Sequence, residues 1–386
     1  MRKKVCVLTS VHPPFDVRIF HKECRSLARA GYCVTLIAPI ARNSTVDGIE
    51  VRAFPQYRSR IERIAKGWPA MYRAAKRENA DIYHFHDPEL IPIALLLRAQ
   101  GKAVVYDVHE DLPKTISYKR YIPALLRFPL GLTLKVIEEF ASRLLTGVVT
   151  ATTPIAERFS KVRHRTVVHN YPLLEEFDVP ADLSRNESCN YIAYVGARIT
   201  VARGAFEMVQ AMGLLPAQVK LQLKIAGAFD PPGLREKLSM LPGWKHAQAL
   251  GVLGRAEVAQ LLRRARAGLV LLHPEPNYLN AQPVKLFEYM GAGIPVIASD
   301  FPVWRNIIED AGCGLLVDPL DPAAIARAID DLWRHPSEAL EMGRRGRAAV
   351  HAKYNWNREE ERLLKFYSEI AGPSAEVVSS QIEARA

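Results

Sequence analysis

Short β-branched runs alternate with helical patterns along most of this chain, and the alternation occurs in two successive series. Such alternation is typical of parallel sheets whose strands are joined by crossover helices. A chain of 386 residues is too long for one compact core and accommodates two lobes of ordinary size. We therefore predict an α/β protein built from two Rossmann-like lobes, each with a doubly wound parallel sheet.

The strands are predicted from short apolar runs bounded by turn residues. In the first series they are Val5–Thr9, Val34–Ala38, Val51–Phe54, Ile82–His86, Ala103–Val108, Val148–Ala151 and Val167–His169. In the second series they are Tyr191–Val195, Leu221–Ala226, Gly268–Leu272, Pro295–Ala298 and Gly314–Val317. Two lobes of this kind bind ligands at the carboxyl ends of their strands, so we expect a ligand cleft between the lobes.

The alternation lapses once, where Pro172, Pro180 and mixed charges replace it. Such a stretch is typical of a connection between domains. The predicted organisation is a first lobe, a linker, a second lobe, a last amphipathic helix and a flexible tail, at residues 1–170, 171–189, 190–355, 356–370 and 372–386.

Composition excludes several classes of protein. With 49% hydrophobic and 24% charged residues, the chain is globular and not disordered. Its five cysteines are scattered without a CxxC pair, which argues against a disulfide framework or a zinc site and fits a reducing cytosol. The first apolar run is too short for a signal peptide, and the longest, Leu90–Leu97, is far below the roughly 18 residues of a membrane span. We therefore expect a cytoplasmic protein.

Charge is distributed unevenly along the chain. Residues 1–170 carry 28 Lys and Arg against 15 Asp and Glu, whereas the remaining residues carry 24 against 26. A first lobe with a net charge of +13 predicts an anionic partner, which is a phosphate group, an acidic membrane surface or nucleic acid. A basic surface that only keeps the protein soluble is the alternative.

The segment that carries most chemical information lies in the second lobe. A predicted strand ends at Leu272, a loop rich in Pro and Asn follows, and a helix is predicted to begin near Pro283. Lys285 and Glu288 are three residues apart, so they share one face near the helix N-terminus, where a phosphate can bind. A carboxylate at this place can accept both hydroxyls of a ribose. A surface ion pair between the two residues is the alternative.

A second segment combines glycine with arginine after a strand. It reads Tyr194-Val195-Gly196-Ala197-Arg198, and it continues after a short loop with Arg203-Gly204. Glycine permits close approach of a diphosphate to the backbone, and arginine offers forked donors at the start of a helix. Arginines near a turn are also common on protein surfaces, and that is the alternative.

These segments resemble the C-terminal lobe of GT-B glycosyltransferases of the glycogen-synthase-like group 1 family (family 4-like), of the polysaccharide-biosynthesis type. The resemblance rests on the loop with Glu275 and on Lys285-Leu286-Phe287-Glu288-Tyr289-Met290, followed by Gly291-Ala292-Gly293 and Pro295-Val296-Ile297. It implies that Glu288 binds the ribose of a nucleotide-sugar, while Arg198, Arg203 and Lys285 surround its diphosphate and Gly196 lets it approach. The family has a second glutamate where this chain has Asn280, and Glu275 in the same loop is a candidate substitute.

The first lobe has histidines and acids where two predicted strands end. They are Tyr83-His84-Phe85-His86-Asp87 and Tyr106-Asp107-Val108-His109-Glu110. The resemblance implies that His109 contacts the donor sugar from the acceptor lobe. A metal site is the alternative reading of such a cluster, but the sequence has no HExxH spacing and the family needs no metal for catalysis. We therefore expect no cofactor and no catalytic metal.

After the first strand the chain reads Asp16-Val17-Arg18, where most relatives have a pair of glycines. Asp16 and Arg18 are candidate substrate-binding residues. The alternatives are that Asp16 caps the following helix and that Arg18 forms a salt bridge.

Residues 112–147 combine Lys and Arg with aromatic residues and many leucines, and they predict a basic, apolar helical pair. Such a pair can lie flat on an anionic membrane, and polymer-building relatives often use lipid-linked acceptors. The alternative is that the leucines pack on the lobe. Membrane contact would place the protein at the inner face of the plasma membrane.

The resemblance thus implies a retaining glycosyltransferase that moves a sugar from a UDP- or GDP-linked donor to a saccharide or lipid-linked saccharide. The acceptor hydroxyl would attack on the face that the nucleotide leaves. The alternatives are a nucleotide-sugar epimerase of the same architecture and a non-enzymatic binder of anionic surfaces. We expect no nucleic-acid partner. The last helix of such proteins packs back on the first lobe.

Overall fold

The computed structural model describes residues 2–57, 59–109, 111–117, 122–177 and 190–371. The chain divides into two compact units. The first comprises Met1–Asn170 and Asn357–Ala386, and the second comprises Tyr171–Trp356. The described part of the predicted linker, residues 171–177, therefore belongs to the second unit. The rest of that segment and the predicted tail lie outside the described residues.

The first unit contains an eight-stranded sheet. Its strands are β1 Lys4–Leu8, β2 Cys33–Pro39, β3 Ser44–Val46, β4 Ile49–Phe54, β5 Ile82–Phe85, β6 Ala103–Val108, β7 Gly147–Thr150 and β8 His164–Val167. The spatial order is β3-β4-β2-β1-β5-β6-β7-β8, with β3 antiparallel to β4 and every other neighbouring pair parallel. The direction of winding reverses between β1 and β5, which is where doubly wound sheets bind ligands.

The helices of the first unit lie between these strands. They are α1 Arg25–Arg29, α2 Arg60–Glu62, α3 Trp68–Glu78, α4 Ile91–Ala99, α5 Leu112–Ser117, α6 Ala124–Leu144 and α7 Thr153–Arg158. Val17–Cys24 has π-helical hydrogen bonding and leads directly into α1. The side chain of Asp16 caps this segment because it accepts hydrogen bonds from the backbone N–H groups of Arg18 and Ile19.

The second unit contains a six-stranded sheet in which all pairs are parallel. Its strands are β9 Tyr191–Ile199, β10 Gln222–Phe229, β11 Ala247–Gly251, β12 Gly268–Val270, β13 Val296–Ser299 and β14 Gly314–Val317. The spatial order β11-β10-β9-β12-β13-β14 is the dinucleotide-fold order, with the reversal between β9 and β12.

Eight helices described in the second unit cover its sheet. They are α8 Ala205–Gly213, α9 Leu234–Ser239, α10 Arg255–Arg263, α11 Pro276–Leu279, α12 Val284–Gly291, α13 Pro302–Ala311, α14 Pro322–Arg334 and α15 Pro336–Ala352. The last helix, α16 Trp356–Ala371, belongs to the first unit from Asn357 onward. Phe366 and Tyr367 of α16 are buried, and a side chain at Gly147 of β7 would collide with the Phe366 ring at 2.7 Å.

The predicted architecture of two parallel-sheet α/β lobes is confirmed. Two short edge strands, β3 and β11, were not predicted, because each presents little apolar pattern and is held by a single neighbour. The strand predicted at Val167–His169 is observed three residues earlier, as β8. Three of its four residues are polar, and Arg165 is exposed, so the sequence has no continuous apolar run there.

Candidate functional site

The loop after β9 is fixed by close contacts that only glycine permits. Gly204 has φ of +74°, and a Cβ there would lie 2.4 Å from the carbonyl oxygen of Leu271. The His273 N–H donates to the carbonyl of Ala202 at 2.9 Å. These contacts hold the loop against the chain that leaves β12, at the reversal point of the second sheet. They also place Gly204 directly before α8, whose first N–H groups are available to an anion.

Lys285 is a buried cation at this place. Its Nζ lies 3.8 Å from the centre of the Tyr194 ring and 3.1 Å from where a Cβ on Gly196 would stand. Within the described ranges, this Nζ has no hydrogen-bond partner. Burial holds the pKa of Lys285 well below its ordinary value, and the nearby charge of Arg203 lowers it further, although Glu288 opposes the shift.

The two predicted arginines differ in their surroundings. The charge of Arg203 acts on Lys285 and on Tyr194, whose pKa burial raises to about 12 against the effect of Arg203. Its Nη1 donates to the backbone carbonyl of Arg198 at 3.3 Å. The Arg198 side chain is 71% exposed and pairs with Asp230 at 3.0 Å. Arg203 is therefore a second cation close to Lys285, whereas the charge of Arg198 is paired with the carboxylate of Asp230.

Glu288 lies on α12, one turn after Lys285, and its side chain is only 8% exposed. Its Oε1 accepts a hydrogen bond from Nη1 of Arg255 at 2.9 Å. Arg255 also pairs with Glu176. Burial would lower the pKa of Arg255, but the two carboxylates outweigh burial and raise it. The carboxylate of Glu288 is thus held in one orientation by a residue of α10.

Glu275 and Asn280 flank the one-turn helix α11. Glu275 is half-buried and precedes the helix, while Asn280 is exposed and follows it. Nearby, His273 Nε2 lies 3.1 Å from Glu207 Oε1 on α8. Glu275 and Asn280 thus both lie in the segment that connects β12 with α12. No hydrogen bond of the Glu275 side chain is found in the described part of the chain.

In the first unit, Arg18 is buried in an ion cluster. It is 2% exposed, and its Nη2 lies 3.0 Å from Asp107 Oδ2 while its Nε lies 2.9 Å from Glu23 Oε1. Its Nη1 donates to the carbonyl of Val168 at 2.8 Å. Burial would lower the pKa of Arg18, but Asp107 and Glu23 outweigh it and raise the pKa. The enclosed guanidinium of Arg18 therefore forms the salt bridge that was the alternative to substrate binding. In the same way, Asp16 caps the following helix, which was its alternative.

Three histidines surround this ion cluster. His84 Nδ1 is 2.7 Å from the Tyr367 hydroxyl of α16, and His86 Nδ1 is 2.7 Å from His109 Nε2. Burial lowers the pKa of His109 to about 4, an effect that the Asp107 charge opposes. His109 keeps some exposure, and its Nε2 lies 3.6 Å from Asp107. Because its neighbour His86 is fully buried, His109 is the histidine of this group through which a ligand could make contact.

Four buried residues of this region offer ligand atoms that lie within 4.8 Å of one another. They are Glu23, His84, His86 and Asp107. Such a set can hold a metal ion. His84, His86 and Asp107 lie in the two strand-end segments named in the sequence analysis, whereas Glu23 was not singled out there. It lies in the π-helical segment before α1, far along the chain from the two strand ends.

The described part of the predicted helical pair is present as α5 and α6; residues 118–121 lie outside it. One face of α6 carries a row of exposed apolar side chains spaced three or four residues apart, here named the apolar stripe: Leu125, Phe128, Leu132, Val136, Phe140 and Leu144. Leu125 is 91% and Phe128 78% exposed. The basic residues Lys135 and Arg143 are exposed on the same helix. No helix within the described ranges is long and apolar enough to cross a membrane.

The sequence reasoning missed Arg255, Glu176 and Tyr367. Arg255 begins a helix with no motif around it, and Glu176 lies in the segment predicted as a linker. Tyr367 occupies a buried position of an amphipathic helix, where an aromatic residue is ordinary core. A single sequence gives no signal for such pairings, because each joins positions that are distant along the chain.

Two family models match the chain. The model described as "Glycosyl transferases group 1" matches residues 176–349. The model described as "Glycosyltransferase Family 4" matches residues 17–170. Together they include both units and every segment from which the site was predicted, except Asp16.

Individual relatives agree with these models. A phosphatidyl-myo-inositol mannosyltransferase of Mycobacterium tuberculosis (strain ATCC 25618 / H37Rv) is 24% identical over 370 residues, which are 90% of this chain and 91% of the relative. A D-rhamnosyltransferase of Pseudomonas aeruginosa is 32% identical over 111 residues, 27% of this chain and 29% of that one.

Solved structures share the fold. A sucrose-phosphate synthase from Thermosynechococcus elongatus superposes with a TM-score of 0.77 at 19% identity, covering 96% of this chain and 99% of that one. HepE of Anabaena in complex with UDP-glucose gives a TM-score of 0.71 at 14% identity, with 95% and 100% coverage.

Proposed function

Because this chain belongs to the group 1 glycosyltransferases of the GT-B fold, we propose that it is a retaining hexosyltransferase acting in glycoconjugate biosynthesis. Its donor is a UDP- or GDP-linked sugar, and its acceptor is a saccharide or lipid-linked saccharide. The second unit binds the nucleotide, and no metal is needed for transfer.

The observation that carries this proposal is the buried Lys285. Its Nζ has no hydrogen-bond partner in the described ranges, stands beside Gly196, and lies close enough to Arg203 for that charge to lower its pKa. Two adjacent cations, one of them desolvated, form a site that an anion stabilises. The free N–H groups at the start of α8 add to this preference. A diphosphate fits this arrangement in charge.

The carboxylate of Glu288 supports the nucleoside part of the proposal. Arg255 donates to its Oε1, which fixes the carboxylate and leaves Oε2 to accept hydroxyl groups. A carboxylate oriented beside a phosphate site is how dinucleotide folds bind ribose. Asn280 has no carboxylate with which to contact the donor sugar. Glu275, directly before α11, is the candidate for that contact.

The relatives support the same chemistry. HepE is described in complex with UDP and with UDP-glucose, and trehalose-phosphate synthases of the same fold are described as UDP-forming. The mycobacterial relative is named for transfer of mannose to phosphatidyl-myo-inositol, a lipid. We extend a nucleotide-sugar donor and a lipid-linked acceptor from these proteins to this chain.

In the proposed reaction the bond between the anomeric carbon and the β-phosphate oxygen breaks, and its electron pair stays on that oxygen. Lys285 and Arg203 stabilise the charge that develops there. The acceptor hydroxyl forms the new bond on the face that the nucleotide leaves, so the anomeric configuration is retained. Its proton passes to the departing phosphate oxygen. The role of His109 in this step is still the prediction that the family resemblance gives.

Replacement of Glu288 tests the assignment of the nucleotide site. Glu288→Ala removes the ribose acceptor, and we expect transfer from UDP- or GDP-sugars to fall at least about 10²-fold, since two charge-assisted hydrogen bonds are lost. Radiolabelled transfer to lipid extracts and circular dichroism measure activity and folding. Glu309→Ala, an exposed glutamate on α13, is the matched control and should keep full activity. Full turnover by Glu288→Ala would contradict the assignment, and donor conversion without any acceptor would favour the epimerase.

The apolar stripe of α6 supports membrane contact by the first unit. Six exposed apolar side chains on one helical face, with Lys135 and Arg143 exposed beside them, match an interfacial helix that inserts between anionic headgroups. The net charge of +13 over residues 1–170 has the matching sign. The proposed occupant of this face is an anionic bilayer that carries the acceptor.

Co-sedimentation with vesicles tests this contact. We expect binding to phosphatidylglycerol vesicles, weak binding to phosphatidylcholine vesicles, and about tenfold or greater loss of binding in Leu125→Ser with Phe128→Ser, because two large apolar side chains no longer enter the interface. The matched control is Leu214→Ser with Met240→Ser, which changes exposed apolar residues of the second unit. Equal loss in both double variants, or equal binding to both lipids, would contradict the proposal.

A further inference from the structure

We propose that Glu23, His84, His86 and Asp107 form a structural binding site for one divalent transition-metal ion in the first unit, with Zn²⁺ as the ion that fits best. The site is separate from the nucleotide chemistry proposed for the second unit. A test of metal binding therefore does not depend on the proposed function.

The spacing of the four residues is the first argument. His84 Nε2 lies 3.7 Å from Asp107 Oδ2 and 4.0 Å from Glu23 Oε2, and His86 Nε2 lies 3.7 Å from the same Glu23 oxygen. Hydrogen bonds between such atoms are about 2.7–3.2 Å long. Ligands at about 2.1 Å from a tetrahedral zinc ion are separated from one another by about 3.4 Å. The atoms are therefore too far apart to bond to each other and close to the separation of ligands around a shared centre.

The second argument is that these atoms are left unsatisfied. Glu23, His84, His86 and Asp107 are all buried, and the Nε2 atoms of both histidines and the Oε2 of Glu23 have no hydrogen-bond partner in the described part of the chain. A buried polar atom without a partner destabilises the fold. Three such atoms in one buried cluster indicate a group that satisfies them together.

The surrounding contacts have the pattern of a second coordination shell. Each histidine engages its other ring nitrogen, His84 Nδ1 with the Tyr367 hydroxyl and His86 Nδ1 with His109 Nε2, both at 2.7 Å. Arg18 contacts Asp107 at 3.0 Å and Glu23 Oε1 at 2.9 Å, which orients both carboxylates. Metal-bound histidines and carboxylates are held in this way by outer partners.

Protonation of Glu23 is the alternative explanation for this buried cluster without a metal ion. Burial and the Asp107 charge raise the pKa of Glu23 well above its ordinary value, so a neutral Glu23 carboxyl would leave the charges of Arg18 and Asp107 balanced. One proton, however, joins only two atoms at hydrogen-bond distance, whereas the Nε2 atoms of the two histidines and their carboxylate neighbours stand 3.7–4.0 Å apart. A metal ion satisfies all of them. Two imidazoles with two carboxylates favour Zn²⁺, Co²⁺ or Fe²⁺ over Mg²⁺ or Ca²⁺.

Metal analysis of the full chain tests the proposal. Chelator-stripped protein is equilibrated with Zn²⁺ buffered at micromolar free concentration and analysed by mass spectrometry of its metal content, and Co²⁺ is added in parallel to record the absorption of tetrahedral cobalt. We expect one equivalent of zinc, a tetrahedral cobalt spectrum and a higher melting temperature with metal. His84→Gln with His86→Gln should bind more than about 10²-fold more weakly. His335→Gln with His351→Gln, two exposed histidines, is the matched control and should bind like the unchanged chain.

A second variant keeps all four proposed ligands, so it tests the site even if the double variant does not fold. Tyr367→Phe removes only the hydroxyl beside His84, and we expect about tenfold weaker zinc binding with the fold retained. Wild-type protein that takes up no zinc and shows no tetrahedral cobalt absorption overturns the proposal. Zinc retained equally by the His84→Gln, His86→Gln variant also overturns it, since the ion is then bound elsewhere.

Discussion

The two units each bury cations, but they compensate them differently. In the first unit, Arg18 is enclosed with two carboxylates, Asp107 and Glu23, within 3.0 Å. In the second unit, the Lys285 side chain is half-buried, its enclosed Nζ faces an aromatic ring, and this atom has no hydrogen-bond partner in the described ranges. The charges of Asp107 and Glu23 raise the pKa of Arg18, whereas burial lowers the pKa of Lys285.

This difference separates a structural charge from one kept for a ligand. A buried ion that has its partners within the same unit stabilises the fold only as part of the set, because removal of one member leaves the others unpaired. A buried cation without such a partner destabilises the free protein and gains a partner when an anion binds. Residue type did not distinguish Arg18 from Lys285 in the sequence, since both follow predicted strands and both were candidates for binding substrate with an ion pair as the alternative.

The largest expected effect is on stability, from replacing the compensated cation. Arg18→Met leaves Asp107 and Glu23 unpaired in the core, and we expect the free energy of unfolding to fall by about 3–5 kcal/mol. Lys285→Met removes an enclosed ammonium group that has no hydrogen-bond partner in the described ranges, and it should keep or increase that free energy. Urea denaturation of both variants measures the contrast. Equal losses would show that the two cations are not compensated differently.

A second prediction concerns the pH dependence of nucleotide binding. Binding of a diphosphate favours the charged ammonium of Lys285, whose pKa in the free protein is well below its ordinary value. Binding should therefore take up a proton, and affinity for UDP-glucose should fall as pH rises through the lowered pKa. Calorimetry in buffers of different ionisation enthalpy measures the uptake. Lys285→Met should bind about 10–10²-fold more weakly and lose this pH dependence. An unchanged slope in that variant would exclude Lys285 as its origin.

The lowered pKa of Lys285 also predicts how the stability of the free protein depends on pH, and here the trend is opposite to that of nucleotide affinity. Between the lowered pKa and the ordinary value of about 10.4, the unfolded chain binds more protons than the folded one, so the contribution of Lys285 to stability rises with pH. Below both pKa values its penalty is complete and constant. Lys285→Met should remove this rise from a series of unfolding curves.

The smallest expected effect distinguishes the two arginines of the loop after β9. Arg203→Ala removes a charge that acts on Lys285, and we expect UDP-glucose affinity to fall about tenfold. Arg198 is largely exposed and paired with Asp230, so Arg198→Ala should change affinity by less than about twofold and stability by less than about 0.5 kcal/mol. A larger effect from Arg198 than from Arg203 would reverse the assignment. Isothermal titration measures both.

Much of the fold and part of the site could be predicted from the sequence. Apolar runs in the sequence indicate parallel strands, and the carboxyl ends of such strands lie along one edge of the sheet. The sequence alone therefore predicted that Gly196 and Lys285 lie near each other. The pairing of Glu288 with Arg255 could not, because an ion pair between α12 and α10 leaves no local pattern. The enclosure of Arg18 was also beyond the sequence, since Asp107 and Glu23 are brought to it only by packing.

The return of α16 to the first unit has a consequence for how the protein is made. Tyr367 and Phe366 complete a core whose other members are synthesised within the first 170 residues. At ribosomal speeds of about 5–20 residues per second, the nascent first unit waits on the order of ten seconds or more for its closing helix while residues 171–356 emerge. During that interval His84 lacks its tyrosine partner, so the sheet of the first unit is completed only after α16 has been translated.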